Sequence, residues 1–111
     1  MVYKLMANTY KNAKLDLTTT SVTTLYTAAS LTTGIFKSIL VSEDSGNADT
    51  ITITITNGSD VFSLFKTKAI GANATVELLD APLVVETSEI VKVTAATANR
   101  LHVVASILEI T

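Results

Sequence analysis

Residues 50–56 read Thr-Ile-Thr-Ile-Thr-Ile-Thr, and Asn57-Gly58 follows directly. This alternation has a period of two, so a strand here would carry its isoleucines on one face and its threonines on the other. Asn-Gly tolerates the positive φ angles of a tight type I′ turn, and residues 60–67 read as the returning strand. The stretch therefore predicts an antiparallel hairpin with one buried face.

Short alternating segments separated by turn residues continue from Ala13 to Ile110. Their close spacing predicts an all-β fold, an antiparallel two-sheet sandwich or jelly roll of about eight strands. No apolar stripe of helical period runs long enough to indicate a helix. We place the β-sandwich domain at residues 13–111 and expect residues 1–12 to form an N-terminal arm or a short first strand.

Two predicted strands are apolar on both faces. In residues 100–110, one face carries Leu101 and Val103 while the other carries Val104 and Leu108, and residues 34–42 are similar. An outer sheet face of this kind needs a cover, and the low charged content of 16% suits an interface. We therefore expect a homo-oligomer or assembly subunit. The interface candidates are Ile35, Phe36, Leu40, Val104, Leu108 and Ile110 in the strands, with Tyr3, Leu5, Met6 and Tyr10 in the arm.

Charge and composition argue against several partners and sites. The net charge is −2 and no basic stripe is present, so we predict no nucleic-acid partner. No apolar run approaches the ~18 residues of a membrane span, so no membrane partner is predicted. The N-terminal residues lack the apolar core of a signal peptide, which favours synthesis in a cytoplasm. Cysteine is absent, which excludes disulfides and thiolate sites.

The sequence offers little catalytic chemistry. His102 is the only histidine, and without cysteine a zinc site around it would be unusual. The loop 43–49 is rich in oxygen ligands but fails the EF-hand spacing, so we favour a solvated turn and leave ion binding there open. Neither a Gly-x-Ser-x-Gly motif nor a phosphate-binding glycine loop is present. We predict no catalytic residue, no metal site and no cofactor, hence a protein that is not an enzyme.

Several segments from Leu25 onward match the pattern of a known family: residues 25–28 (LYTA), 35–41 (IFKSILV), 72–83 (ANATVELLDAPL), 90–95 (IVKVTA), 98–103 (ANRLHV) and 106–109 (SILE). Together they resemble small virion structural proteins of tailed bacteriophages, notably marine and cyanobacterial ones. The resemblance covers most of the chain and implies a non-enzymatic virion subunit.

Such a subunit would be made in the host cytoplasm and located in the virion, as a capsid decoration, a head–tail neck component or a tail component. Its partners would be other copies of itself and other virion proteins. The alternative is a receptor- or glycan-binding β-sandwich module at a fibre tip or cell surface. That alternative predicts a solvent-facing pocket with aromatic side chains or a metal.

Overall fold

The structure is a computed structural model, and it describes residues 7–111. These residues form nine strands and no helix. The strands are β1 (Asn8–Asp16), β2 (Thr23–Thr27), β3 (Thr33–Glu43), β4 (Asp49–Thr56), β5 (Val61–Ile70), β6 (Thr75–Glu77), β7 (Leu83–Val85), β8 (Ile90–Ala95) and β9 (Leu101–Ile110). The all-β prediction is confirmed, with one strand more than the expected eight.

The strands form two antiparallel sheets. Sheet A has the order β1-β9-β3, and both β6 and β7 pair with the far edge of β3. Sheet B has the order β2-β8-β4-β5. The inner faces supply one core, which contains Ile39 and Val103 from sheet A and Ile53 and Val93 from sheet B, each with no exposed surface. This arrangement is the predicted two-sheet sandwich.

The hairpin of residues 50–67 forms as predicted, but its turn differs. β4 ends at Thr56 and β5 begins at Val61, so the loop has four residues, and of the Asn57–Gly58 pair only Gly58 has a positive φ. The side-chain oxygen of Asn57 accepts the N–H groups of Ser59 and Asp60 at 3.0 and 2.9 Å. The type I′ prediction was therefore wrong, because the Asn57 side chain organises a longer turn instead of taking a left-handed backbone.

β-Bulges explain two breaks in the alternation. Phe36 and Ile39 are three residues apart and both fully buried, and the register between β3 and β9 shifts between Phe36 and Ser38. In β2, the neighbours Leu25 and Tyr26 are both buried, and the register with β8 shifts between Thr24 and Tyr26. An extra residue in one strand shifts the alternation, so that side chains an odd number of residues apart point to the same face of the sheet.

Residues 8–12 belong to β1. This strand pairs with β9 without interruption, from Asn8 opposite Ile110 to Asp16 opposite His102. Ala7 and Thr111 extend the pairing through two further backbone hydrogen bonds of 3.2 and 3.0 Å. The boundary drawn between residues 12 and 13 thus falls inside a strand. The arm candidates Tyr3, Leu5 and Met6 lie outside the described residues.

Candidate interaction surface

The outer face of sheet A carries a row of four apolar side chains across four strands. Tyr10 on β1 pairs with Leu108 on β9, Leu108 with Ile35 on β3, and Ile35 with Val84 on β7. Tyr10 is 77% exposed and Val84 is 52% exposed, while the two central side chains are half-buried by their neighbours. We call these four residues the Tyr10 row.

A second row on the same face has charged ends. Lys14 on β1 pairs with Val104 on β9, Val104 with Leu40 on β3, and Leu40 with Glu77 on β6. Val104 and Leu40 are 39% and 40% exposed, and both end residues are exposed. We call these four residues the Lys14 row. It places a cation at one edge of the face and an anion at the other, with apolar side chains between them.

The Glu77 carboxylate is held in place by β3. It accepts hydrogen bonds from the Ser38 hydroxyl, from the Ile39 N–H at 2.9 Å and from the Leu79 N–H at 3.2 Å. Desolvation raises the pKa of Glu77, but these hydrogen bonds lower it by more, so the pKa lies below its usual value. The anionic end of the Lys14 row is therefore charged and fixed in position.

Polar rows flank the apolar ones. Ser106 pairs with Asn12 on one side and with Ser38 on the other, between the Tyr10 and Lys14 rows. Beyond the Lys14 row, His102 pairs with Asp16 and Ser42. The outer face of sheet A is thus a patterned surface, with two rows containing large apolar side chains and polar rows beside them.

His102 stands between two carboxylates. Its Nε2 lies 3.2 Å from Asp16 Oδ1, and its Nδ1 lies 3.6 Å from Asp44 Oδ2. Because the carboxylates sit at opposite nitrogens, the ring separates their oxygens. Among residues 7–111 no group of three or more acidic or histidine side chains is arranged to hold a metal ion.

The acidic loop after β3 is organised by Glu43. Its buried carboxylate accepts the Ser45 N–H at 2.7 Å, the Gly46 N–H at 3.1 Å and the Asn73 N–H at 2.9 Å, together with the Ser45 hydroxyl. Desolvation raises the pKa of Glu43, but these hydrogen bonds outweigh it and lower the pKa to about 2. A cation here would have to displace donors that already occupy both oxygens.

Tyr26 joins the two sheets at the end that carries Glu109. Its hydroxyl, on β2, donates a 2.5 Å hydrogen bond to Glu109 Oε2 on β9, which also lies 3.7 Å from Lys11 Nζ. The Tyr26 ring packs edge-on against Phe36, with ring centroids 5.3 Å apart. Sequence reasoning missed this contact because the partners are 83 residues apart.

The outer face of sheet B differs from that of sheet A. A shallow depression of about 420 Å³ lies over the threonines of β4 and β8. Its lining comprises Val22, Thr52, Thr54, Thr56, Gly58, Val61, Ile90, Lys92 and Thr94. This lining has no aromatic ring. The threonine face foreseen in residues 50–56 is therefore a hydroxyl-rich surface with a few aliphatic side chains around it.

The predicted interface residues divide into two sets. Phe36 is fully buried in the core, so it cannot contact a partner directly. The outer face of sheet A brings the remaining described candidates together: Tyr10, Ile35, Leu40, Val104, Leu108 and Ile110. Val84 and the charged pair Lys14 and Glu77 were not foreseen. Val84 alone had a sequence signal, as one of two consecutive valines in a three-residue strand.

Comparison with protein-family models and with curated proteins finds no match for this chain. Within residues 7–111, no helix has the length and apolar character that a membrane crossing requires.

Proposed function

We propose that the chain is a non-enzymatic structural subunit of a tailed-bacteriophage virion, acting through contacts between subunits. One observation carries the structural part of this proposal: the Tyr10 row lays four apolar side chains across the outer face of sheet A. Antiparallel sandwiches ordinarily keep such faces polar, because the outer face meets water. The proposed location in a virion rests on the resemblance of the segments between residues 25 and 109 to virion structural proteins.

Subunit contact supplies the physical reason for this surface. Each exposed large side chain transferred from water contributes roughly 25 cal/mol per Å² of apolar area. A subunit repeated around a particle makes the same contact many times, so a modest interface suffices in each copy. The partners under this proposal are other copies of the chain and other virion proteins, and the role requires no cofactor, nucleic acid or membrane.

A decoration on the capsid, a component of the head–tail neck and a component of the tail are the three positions that such a subunit could occupy. The protein would be made in the host cytoplasm and incorporated during assembly. Mass spectrometry of purified virions from a phage that encodes the chain tests the proposal. We expect its peptides in particles at many copies per virion, with phage replication proteins as the control that is lost on purification.

Two results would count against this function. Peptides present in the infected lysate but missing from gradient-purified particles would exclude a virion role. Saturable binding of the isolated protein to a glycan array would instead favour the receptor- or glycan-binding module. In that case Thr54→Val, which alters the depression on sheet B, separates the two roles, since it should abolish glycan binding and leave particle incorporation unchanged.

A further inference from the structure

The two rows on the outer face of sheet A have a symmetry that points to a specific partner. Both span the same four columns, which are β1, β9, β3 and the edge shared by β6 and β7. A two-fold axis parallel to the strands, between β9 and β3, exchanges the outer columns with each other and the inner columns with each other. Each row is then laid against its own reversed copy.

We infer that a second copy of this chain packs face to face on sheet A about this axis, which rests on the proposed role as an assembling subunit. In the Lys14 row, Lys14 meets Glu77 of the second copy, and Glu77 meets its Lys14. Val104 meets Leu40 in the same way. The contact is isologous, so each charge pair forms twice.

The Tyr10 row obeys the same operation. Tyr10 meets Val84 of the second copy, and Leu108 meets its Ile35, so apolar side chains face apolar side chains. In the polar row, Ser106 meets Ser38. Lys37 is exposed at the bulge of β3, next to Ser38 of this polar row. Its side chain is long enough to extend the ammonium group to water.

Charge complementarity selects this axis over the other in-plane choice. A two-fold axis perpendicular to the strands would place the Lys14 row against the Tyr10 row. Lys14 would then face Tyr10, and Glu77 would face Val84, which leaves both charges against uncharged side chains. Neither Lys14 nor Glu77 takes part in an ion pair among residues 7–111, and both are exposed. Both oxygens of Glu77 already accept hydrogen bonds, so a partner's Lys14 would meet a fixed and exposed negative charge without displacing these donors.

The size of the face is sufficient for a weak but specific dimer. Four strands at about 4.8 Å spacing and nine residues at about 3.4 Å rise give a footprint of roughly 550–600 Å² per copy. The total, roughly 1,100–1,200 Å², is at the lower end of the range for specific interfaces. Sheets packed face to face cross at about 30°, which keeps the rows opposed near the axis.

Carbodiimide cross-linking of the full chain tests the pairing directly. Mixed ¹⁵N-labelled and unlabelled protein is treated with this zero-length reagent, and cross-linked peptides are sequenced by mass spectrometry. We expect a Lys14–Glu77 link that joins one labelled and one unlabelled peptide. Mixed-label links from Lys14 to other carboxylates, with none to Glu77, would overturn the arrangement.

Charge reversal provides a second test, read by sedimentation equilibrium. Lys14→Glu should raise the dimer dissociation constant about tenfold or more, since like charges then face each other twice. The double variant Lys14→Glu/Glu77→Lys should recover most of that loss. Lys66→Glu, on β5 of sheet B, is the matched control and should leave the constant unchanged. Because Glu77 also anchors β6, melting curves must confirm that each variant is folded.

The outcomes separate this inference from the proposed function. A chain present in virions but monomeric at all concentrations, or dimeric with an affinity insensitive to Lys14→Glu, would overturn the two-fold contact alone. A charge-sensitive dimer formed by a protein missing from virions would overturn the virion role and leave the contact supported.

Discussion

Gly34 occupies a position where the two sheets approach too closely for a side chain. A Cβ at this residue would lie 2.8 Å from both Cε2 and the hydroxyl oxygen of Tyr26. The Tyr26 ring cannot withdraw easily, because it packs on Phe36 and its hydroxyl is bound to Glu109. Burial and the Glu109 contact raise the pKa of Tyr26, so its hydroxyl remains the proton donor of this bond.

Gly34→Ala should therefore destabilise the fold by about 1–3 kcal/mol, the usual cost of overpacking. Urea unfolding of the two proteins measures the difference. Gly71→Ala is the matched control, because its added Cβ would meet only the Ala74 Cβ at an ordinary 3.7 Å. Equal midpoints for wild type and Gly34→Ala would contradict the close contact with Tyr26.

Glu43 makes stability depend on acid pH. Its pKa is lowered from an ordinary 4.5 to about 2 in the folded chain, so its contribution is fully present above about pH 4.5 and is lost as the pH falls toward 2. We expect Glu43→Gln to lower stability at pH 7 and to flatten the decline between pH 4.5 and 2. Unfolding measured across this range checks the prediction.

Ser45→Ala is the control for the Glu43 effect. It removes one hydrogen-bond donor while keeping the carboxylate, so its pH profile should fall between those of wild type and Glu43→Gln. Parallel profiles for all three proteins would show that Glu43 has no special role in acid unfolding.

At the scale of the elements, β1 matters more than the sequence indicated. Its first five residues are exposed and show no clean alternation, which is why an arm was an alternative. They form a strand because β9 offers an unpaired edge along its whole length, and buried core residues such as Ala105 and Ile107 lie directly beside it. Backbone pairing, rather than side-chain burial, holds this half of β1.

Deleting residues 1–12 should therefore lower stability by on the order of 2–4 kcal/mol, since several ladder hydrogen bonds are lost and the edge of β9 is exposed. The reference is the chain starting at Ala7, so that the difference reports only residues 7–12. Thermal and urea unfolding of both truncated chains measure it. An unchanged melting temperature would restore the view that these residues are an arm devoted to assembly.

At the scale of the whole molecule, the two outer faces have different character. Sheet B presents threonines, while sheet A presents the Tyr10 and Lys14 rows. Nineteen threonines in 111 residues supply strand-forming side chains that tolerate water, so the sequence can keep one face polar with few charges. Sheet B also exposes Val61 and Phe62 on β5, but without a row of apolar side chains across its strands. Self-association should therefore depend mainly on sheet A.

A matched pair of valines tests this difference between the faces. Val84→Ser on sheet A should weaken self-association several-fold, because it shortens the apolar row. Val61→Ser on sheet B, at a residue that is 65% exposed, should not. Sedimentation velocity over a concentration series measures self-association for both variants. We expect the free energy of unfolding of each variant to stay within about 0.5 kcal/mol of the wild-type value, as is usual for surface changes. Equal weakening by the two variants would indicate non-specific hydrophobic association.

The sequence by itself determined the fold class, the inner faces and the two strands that are apolar on both sides. These features are local: a period of two assigns side chains to faces wherever the chain is extended. Alternation also predicted that Val104, Leu108 and Ile110 share one face of the last strand, which is the outer face of sheet A. It did not place Tyr10, which was proposed as an arm residue. Within β3 it did not separate Ile35 and Leu40 from the buried Phe36, because the bulge after Phe36 shifts the alternation.

Only the tertiary structure decided which residues stand side by side. Asn8 pairs with Ile110 across almost the whole chain, and Lys14 and Glu77 occupy one row only because β1, β9, β3 and β6 adopt a particular order and register. Strand order and register follow from long-range pairing and from bulges, and local alternation contains no information about either. The charged ends of the Lys14 row, and with them the two-fold contact, therefore could not be derived from the sequence.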